Sequence, residues 1–328
     1  MNALARRSAA AEVIAPELVR RFASDLARLW PESSDRDARL GIAVSGGPDS
    51  FALLTLACEA LPGRIAAATV DHNLRAESAA EAATVAVLCE DRRIPHAVLG
   101  VRVPPGNVQA GARAARYAAL ADWAQAEGLA AVATAHHADD QAETLLMRLN
   151  RGSGLAGLAG IRARLIMGGN LTVLRPLLGW RKAELEAVCR AAGLVPLRDP
   201  GNSDPQFDRV AIRRLLQDNP LLDAQALARS AMLLKEADDA LSEWLEVRWN
   251  ADVRPAPGGL CYRPKGSRLV RMKLLERAVA TFGGTAGGSA LANLLDRLEE
   301  GGSGNIAGVQ ITPANGDWLI RPERPRRA

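Results

Sequence analysis

From Leu40 to about Asn150, short apolar runs alternate with longer stretches in which apolar residues recur every three or four positions. Leu40 to Val44, Ile65 to Val70, His96 to Val103 and Leu129 to Ala135 read as strands, with helices filling the gaps. Between the first two strands, Phe51, Leu54, Cys58 and Leu61 make one apolar stripe, the period of a helix lying on a core. Strands apolar on both faces and separated by helices predict an α/β fold, a parallel sheet covered by helices. In that architecture ligands bind beyond the carboxyl ends of the strands, so the residues after each strand carry the functional reading.

Near Gly152 the pattern gives way to a glycine-broken loop (Gly152, Gly154, Gly157, Gly160), a segment bearing Arg175 and Pro176, and a helix from about Arg181 to Ala192. An amphipathic stretch from Leu221 to Asn250 predicts a connecting helix, followed by a Pro/Gly-rich segment at Pro255 to Gly259. Helices around Leu269 to Phe282 and Ala290 to Glu300 then precede a hairpin whose strands, Val309 to Thr312 and Trp318 to Arg321, flank an Asn315-Gly316 turn. The expected division is a first domain over 1–218, then a helical connector and a small α+β domain over 219–328. A chain of 328 residues suits about two domains.

Composition adds little beyond exclusions. With 48% hydrophobic and 24% charged residues the chain is ordinary globular protein. No apolar run approaches the roughly 18 to 20 residues of a membrane span, so a soluble, cytoplasmic protein without membrane partners is expected. Cys58, Cys89, Cys189 and Cys261 lie far apart with no CxxC pair, which suggests neither zinc nor disulfides. A formal charge of +4 permits contact with a polyanion without demonstrating it. Oligomeric state is left open, with a homodimer as the candidate assembly.

Ser45-Gly46-Gly47-Pro48-Asp49-Ser50 follows the first strand and opens a helix, so backbone N–H groups and the positive helix end face the sheet's carboxyl edge. The glycines let the backbone close on a phosphate, Ser45 and Ser50 add hydroxyls, and Pro48 suits a first helical turn. Asp49 would repel bound phosphates unless a cation lay between, which suggests Mg²⁺. A tight turn with an acidic first-turn residue is the ligand-free alternative. The segment lacks the GK[ST] ending of a Walker loop.

After the second strand comes Asp71-His72-Asn73-Leu74-Arg75, and after the fourth His136-His137-Ala138-Asp139-Asp140-Gln141-Ala142-Glu143-Thr144. Helix capping, with Asp140 and Glu143 spaced as a capping box, accounts for either acid singly. It does not account for two histidines, two aspartates and a glutamate gathered opposite a phosphate loop. A zinc hydrolase is disfavoured because the HExxH spacing is absent. Between the third and fourth strands, Arg113 and Tyr117 share a helix face at i, i+4.

SGGPDS resembles the SGGxDS loop of the ATP pyrophosphatases of the PP-loop fold. Together with DHNLR, NVQAGARAARY, HHADDQAETLLMRLNRGSG, RPLL at Arg175 to Leu178, and Asp199-Pro200-Gly201-Asn202, it resembles bacterial tRNA(Ile)-lysidine synthase over roughly Leu40 to Leu216. The family's closing RNxxR element is matched at Arg209 and Arg213, with Val210 where asparagine is usual. The resemblance implies a Rossmann-like PP-loop domain and a short appended C-terminal domain that binds tRNA.

It also implies a reaction. The C2 oxygen of the wobble cytidine in a CAU-anticodon tRNA(Ile) attacks the α-phosphate of ATP, and lysine then displaces AMP. Residues 45 to 50, Asp71 and His72 would hold ATP, and Asp49 and Asp139 would hold Mg²⁺. Arg113 is the expected charge-neutralising arginine. Asp139, Asp140 and Glu143 are the candidates for holding lysine and accepting its proton. Arg75, His136, Arg175, Arg209 and Arg213 would contact substrate. The competing readings are a tRNA thiolase, which would need a cysteine at a strand end, other amidating enzymes that share the loop, and an ATP-binding sensor without turnover.

Overall fold

The computed structural model describes residues 14–71, 77–102, 108–167, 170–197 and 208–323. His72, Arg75 and the Asp199 to Asn202 motif lie outside them. Residues up to Lys235 form one compact unit and those from Glu236 a second, the division falling inside a long helix.

In the first unit, β1 (Leu40–Ala43), α2 (Pro48–Ala60), β2 (Ile65–Asp71), α3 (Glu77–Asp91), β3 (His96–Gly100), α4 (Val108–Ala126), β4 (Ala131–Ala133) and α5 (Ala138–Asn150) alternate as the hydrophobic pattern predicts. A preceding helix, α1 (Pro16–Leu29), packs against α2. β1, β3 and β4 are shorter than their apolar runs, whereas β2 runs one residue further, to Asp71. β4 in particular is three residues, because the pairing with β1 covers only Ala131 to Ala133.

The sheet order is β3-β2-β1-β4-β6-β5, with β1 central. Neighbours are parallel except β5 (Arg164–Met167) against β6 (Leu171–Leu174). β1 is buried on both faces: Leu40 and Ile42 point into a core with Phe51, Leu54 and Trp180. At Gly41, on the opposite face, a Cβ would come within 2.7 Å of the Trp123 ring.

The glycine-broken segment holds a single short helical turn, α6 (Leu155–Leu158), and is pinned from α5. The Gln141 amide donates to Ile161 O at 3.0 Å and accepts from Ile161 N at 2.6 Å. Arg148 donates to the carbonyls of Gly157 and Gly160. α7 (Lys182–Ala191) then packs beside α2, and α8 (Asp208–Asp218) packs on α5.

α9 (Ala224–Asp252) carries the division between the units. The second unit has a sheet ordered β7-β8-β11-β10-β9, antiparallel throughout. The Pro/Gly-rich segment Pro255 to Gly259 lies within the hairpin of β7 (Val253–Ala256) and β8 (Gly259–Tyr262), with Gly258 at φ 76° in its turn. β7 lies at the sheet edge, where Pro255 costs no ladder bond toward solvent. After α10 (Arg268–Thr281), α11 (Gly288–Glu299) and β9 (Gly304–Ile306), the expected Asn315-Gly316 turn joins β10 (Val309–Ala314) to β11 (Asp317–Pro322). Both turn residues have positive φ, 52° and 81°, as a two-residue hairpin loop of this twist requires. Leu274, Leu275, Leu294, Ile311 and Ile320 meet in one core. Among the described residues, no helix is long and apolar enough to cross a membrane.

Several cations among the described residues of this second unit are matched by acids of the same unit. Arg254 and Arg263 both reach the Asp317 carboxylate, at 2.8 and 3.2 Å, Arg271 reaches Glu299 at 3.1 Å, and Arg277 reaches Glu246 at 2.5 Å.

Candidate active site

A cleft of about 870 Å³ opens at the carboxyl edge of the first sheet, where the strand order makes ligand binding expected. Its floor is the turn from β1 into α2. Gly46 has φ 85°, a conformation that favours glycine, and a Cβ there would lie 2.7 Å from Leu197 Cδ1, a side-chain tip that would have to shift. Ser50 closes the turn: its hydroxyl donates to Gly47 O at 2.9 Å and accepts from Ser45 N at 3.2 Å. Behind it, the Cys189 thiol donates to Pro48 O at 3.1 Å. No side chain caps α2 at Gly47, and Pro48 has no N–H to satisfy. The first free N–H groups of α2 and its positive end therefore meet the cleft, which is the arrangement that binds an anion.

Opposite the loop stands the start of α5. His137 is buried, with Nε2 3.5 Å from Asp49 Oδ2 and 3.6 Å from Asp140 Oδ2, and Nδ1 3.6 Å from Asp139 Oδ2. Burial alone disfavours its charge, but the adjacent carboxylates of Asp139, Asp49 and Asp140, which favour a positive ring, win and raise it to about 10. The capping alternative holds for Asp140, whose Oδ2 accepts from His137 N at 3.1 Å, one turn earlier than expected. Asp139 caps a different helix. Its Oδ2 accepts from Lys182 N at 2.8 Å at the start of α7, with Arg181 Nε 3.6 Å away. Burial opposes ionisation of Asp139, yet the bonds from His137 and Lys182 hold its carboxyl at about 2.

His136 is the opposite case. Burial first, then the charges of Arg175 and Arg116, push it down to about 3. Arg175 Nε donates to its Nδ1 at 3.3 Å, so Nδ1 is the acceptor and the neutral ring carries its proton on Nε2. Arg175 itself is buried behind this histidine, donating also to Arg162 O at 2.5 Å and Tyr117 Oη at 3.3 Å.

Of the residues singled out from sequence, Ser45, Gly47 to Ser50, His136, Asp139, Asp140, Glu143, Arg209 and Arg213 line this one cleft. Gly46 shapes it from behind. Asp71 ends β2, buried and outside the lining, and Arg175 acts through His136. Arg113 is exposed, its guanidinium 5.1 Å from the Tyr117 ring, and it does not line the cleft; Arg116, one face over on α4, does. Arg181, Lys182 and Thr69 also line it and carry no motif that singled them out.

Asp49 Oδ1 is buried without a hydrogen-bond partner, which fits a cation completed by phosphate oxygens and water. Among the described residues no cluster of three or more His, Cys, Asp or Glu is poised to hold a metal by itself. No cysteine lines the cleft, and burial pushes the Cys189 thiol up to about 12, unsuited to sulfur transfer.

The uncapped helix start, the glycine turn and the sheet order define an ATP-using protein of the PP-loop class, and the family model of the PP-loop domain matches residues 18–219. A tRNA(Ile)-lysidine synthase of Novosphingobium aromaticivorans is 48% identical over 304 residues, covering 91% of this chain and 91% of its own. Another, of Zymomonas mobilis, is 39% identical over 305 residues, covering 90% and 92%. The chain belongs to the tRNA(Ile)-lysidine synthase family. Among solved structures, the U34-tRNA thiolase NcsA of Methanococcus maripaludis, with its [4Fe-4S] cluster, matches with a TM-score of 0.54 at 16% identity over 67% of this chain and 80% of its own, a likeness of fold alone.

Proposed function

We propose that the chain joins lysine to the wobble cytidine of a CAU-anticodon tRNA(Ile) in two steps at this one cleft. The observation that carries the reading is that an open anion site, at α2, and a carboxylate face, at Asp140 and Glu143, share a single cavity. ATP lies with its phosphates on the Gly47 to Ser50 turn. Asp49 would hold Mg²⁺, which when bound would supply charge neutralisation at the phosphates; Asp139, already engaged by α7, orients His137 instead.

In the first step the cytidine C2 oxygen forms a bond to the α-phosphorus and pyrophosphate leaves. Arg116 and the neutral His136 face the developing charge, the histidine donating from Nε2. In the second, the lysine ε-nitrogen bonds to C2 and AMP departs with the oxygen. An ε-ammonium has a reference pKa of about 10.4, so it must lose a proton before attack. Asp140 and Glu143 hold it and give the proton a destination. The C-terminal unit serves tRNA binding.

The test is incorporation of labelled lysine into an unmodified tRNA(Ile) transcript with a CAU anticodon, with and without ATP, against a methionine tRNA control. ATP-dependent labelling of the isoleucine tRNA alone is expected. Binding of ATP without labelling would return the chain to a sensor or another transferase of the same fold.

A further inference from the structure

Asp140 and Glu143, which the proposed function gives to lysine, are already filled by cations of the same chain. Arg209 bridges both carboxylates, its Nη2 donating to Asp140 Oδ1 at 2.7 Å and its Nε to Glu143 Oε2 at 2.6 Å. Arg213 Nε donates to Glu143 Oε1 at 2.7 Å. The remaining Asp140 oxygen accepts from His137 N at 3.1 Å. Each of the four oxygens therefore has a donor, and the Glu143 side chain is only 3% exposed. An ammonium with three donors on one atom cannot take both carboxylates while Arg209 stays between them.

The two arginines face the other way as well. Their side chains keep 43% and 31% of their surface, so a polyanion in the cleft can reach them. A phosphate, though tetrahedral, offers a guanidinium two acceptor oxygens as a carboxylate does, so either can be held by two parallel N–H···O bonds. Transfer of Arg209 from Asp140 and Glu143 to a phosphate exchanges one charge-assisted pair for another, whereas displacement by an amine leaves the guanidinium with water alone.

We propose that α8 is an internal competitor for the amine site, with Arg209 and Arg213 closing Asp140 and Glu143 until an RNA backbone draws them off, so that lysine binds after the tRNA. The coupling is reciprocal: bound lysine tightens the hold on RNA by the same factor that RNA tightens the hold on lysine. The proposal rests on Asp140 and Glu143 being the amine ligands.

Calorimetric titration of lysine into the full chain tests it, with and without the tRNA transcript, for the unmodified protein and for Arg209→Gln. If the closed form outweighs the open by ten to one, lysine affinity without RNA is about tenfold below that with RNA. Arg209→Gln is expected to remove most of that gap by raising the RNA-free affinity. Equal affinities with and without RNA overturn the competition, as does an Arg209→Gln protein that melts like the parent and binds lysine no better without RNA.

Hydrogen exchange on the unmodified protein gives a readout independent of the substitution. Saturating lysine without RNA is expected to speed exchange across residues 208–218, and unchanged exchange with lysine bound overturns the proposal. The two readings fail differently. Lysine that binds and is incorporated, but with no dependence on RNA or Arg209, removes the competition alone; lysine that neither binds with RNA present nor is incorporated removes the proposed function and the competition with it.

Discussion

His137 Nε2 lies 3.5 Å from Asp49 Oδ2, so a buried imidazole from the end of β4 ties the carboxylate of the β1 phosphate turn to the acids of α5. This contact explains why an acid is tolerated beside an anion site: the positive ring offsets Asp49 on one side, and its unpartnered Oδ1 remains for a cation on the other. The two halves of the cleft are thereby held at a fixed separation.

Asp49→Asn keeps the shape of this contact and removes the charge. Turnover is expected to fall by about a hundredfold or more, the scale of a lost transition-state contact. Pyrophosphate release measured across a range of Mg²⁺ concentrations checks it, and near-normal activity would remove Asp49 from the metal role.

Arg116 and Arg113 stand three residues apart on α4 but only Arg116 lines the cleft. Arg116→Ala is expected to lower kcat/KM about a hundredfold, and Arg113→Ala to change it less than about threefold. The reverse ranking would restore Arg113 as the phosphate ligand.

Gly46→Ala places a side chain at φ 85° and against Leu197. A loss of about 1–3 kcal/mol is expected, with weaker ATP binding. In a Leu197→Ala background the contact is relieved and the backbone strain is not, so thermal melts of the single and double variants should show partial rescue. Full rescue would show that the positive φ carries no cost.

His136 is held at about 3 against an ordinary value near 6.5. The unfolded chain therefore binds a proton that the folded chain refuses as pH falls below about 6.5, so this ring's own contribution to stability drops with acidification through that window down to about 3, opposite in sign to that of His137. The expected contribution is about 2 kcal/mol lost by pH 5 relative to pH 8. His136→Asn should flatten that part of the pH profile of denaturant unfolding; parallel profiles would mean that the ring is protonated in the folded protein.

The parallel sheet and the phosphate turn were legible because each rests on local pattern: apolar runs of strand length, a helical stripe at Phe51, Leu54, Cys58 and Leu61, and glycines where the backbone turns. The β5–β6 hairpin was not, since its strands are only four residues each and β5 alternates exposed and half-buried positions, too short a stretch to read as a strand. β7 was hidden by Pro255, which reads as a strand breaker unless the strand is known to be an edge. Arg113 drew notice through its i, i+4 spacing to Tyr117, which says that two side chains are neighbours but not which face of α4 turns to the cleft, where Arg116 lies. Nor could spacing reveal that Arg209 reaches Glu143, 66 residues away, because that pair forms only when α8 packs on α5.

Asp317 holds Arg254 and Arg263 together at the start of β11. An RNA phosphate recruiting either guanidinium would have to compete with a carboxylate already neutralising it, so few counterions would be released for each contact made there. Contacts made through these two arginines would then vary little with ionic strength, and would depend instead on the contour of the antiparallel sheet and on hydrogen bonding.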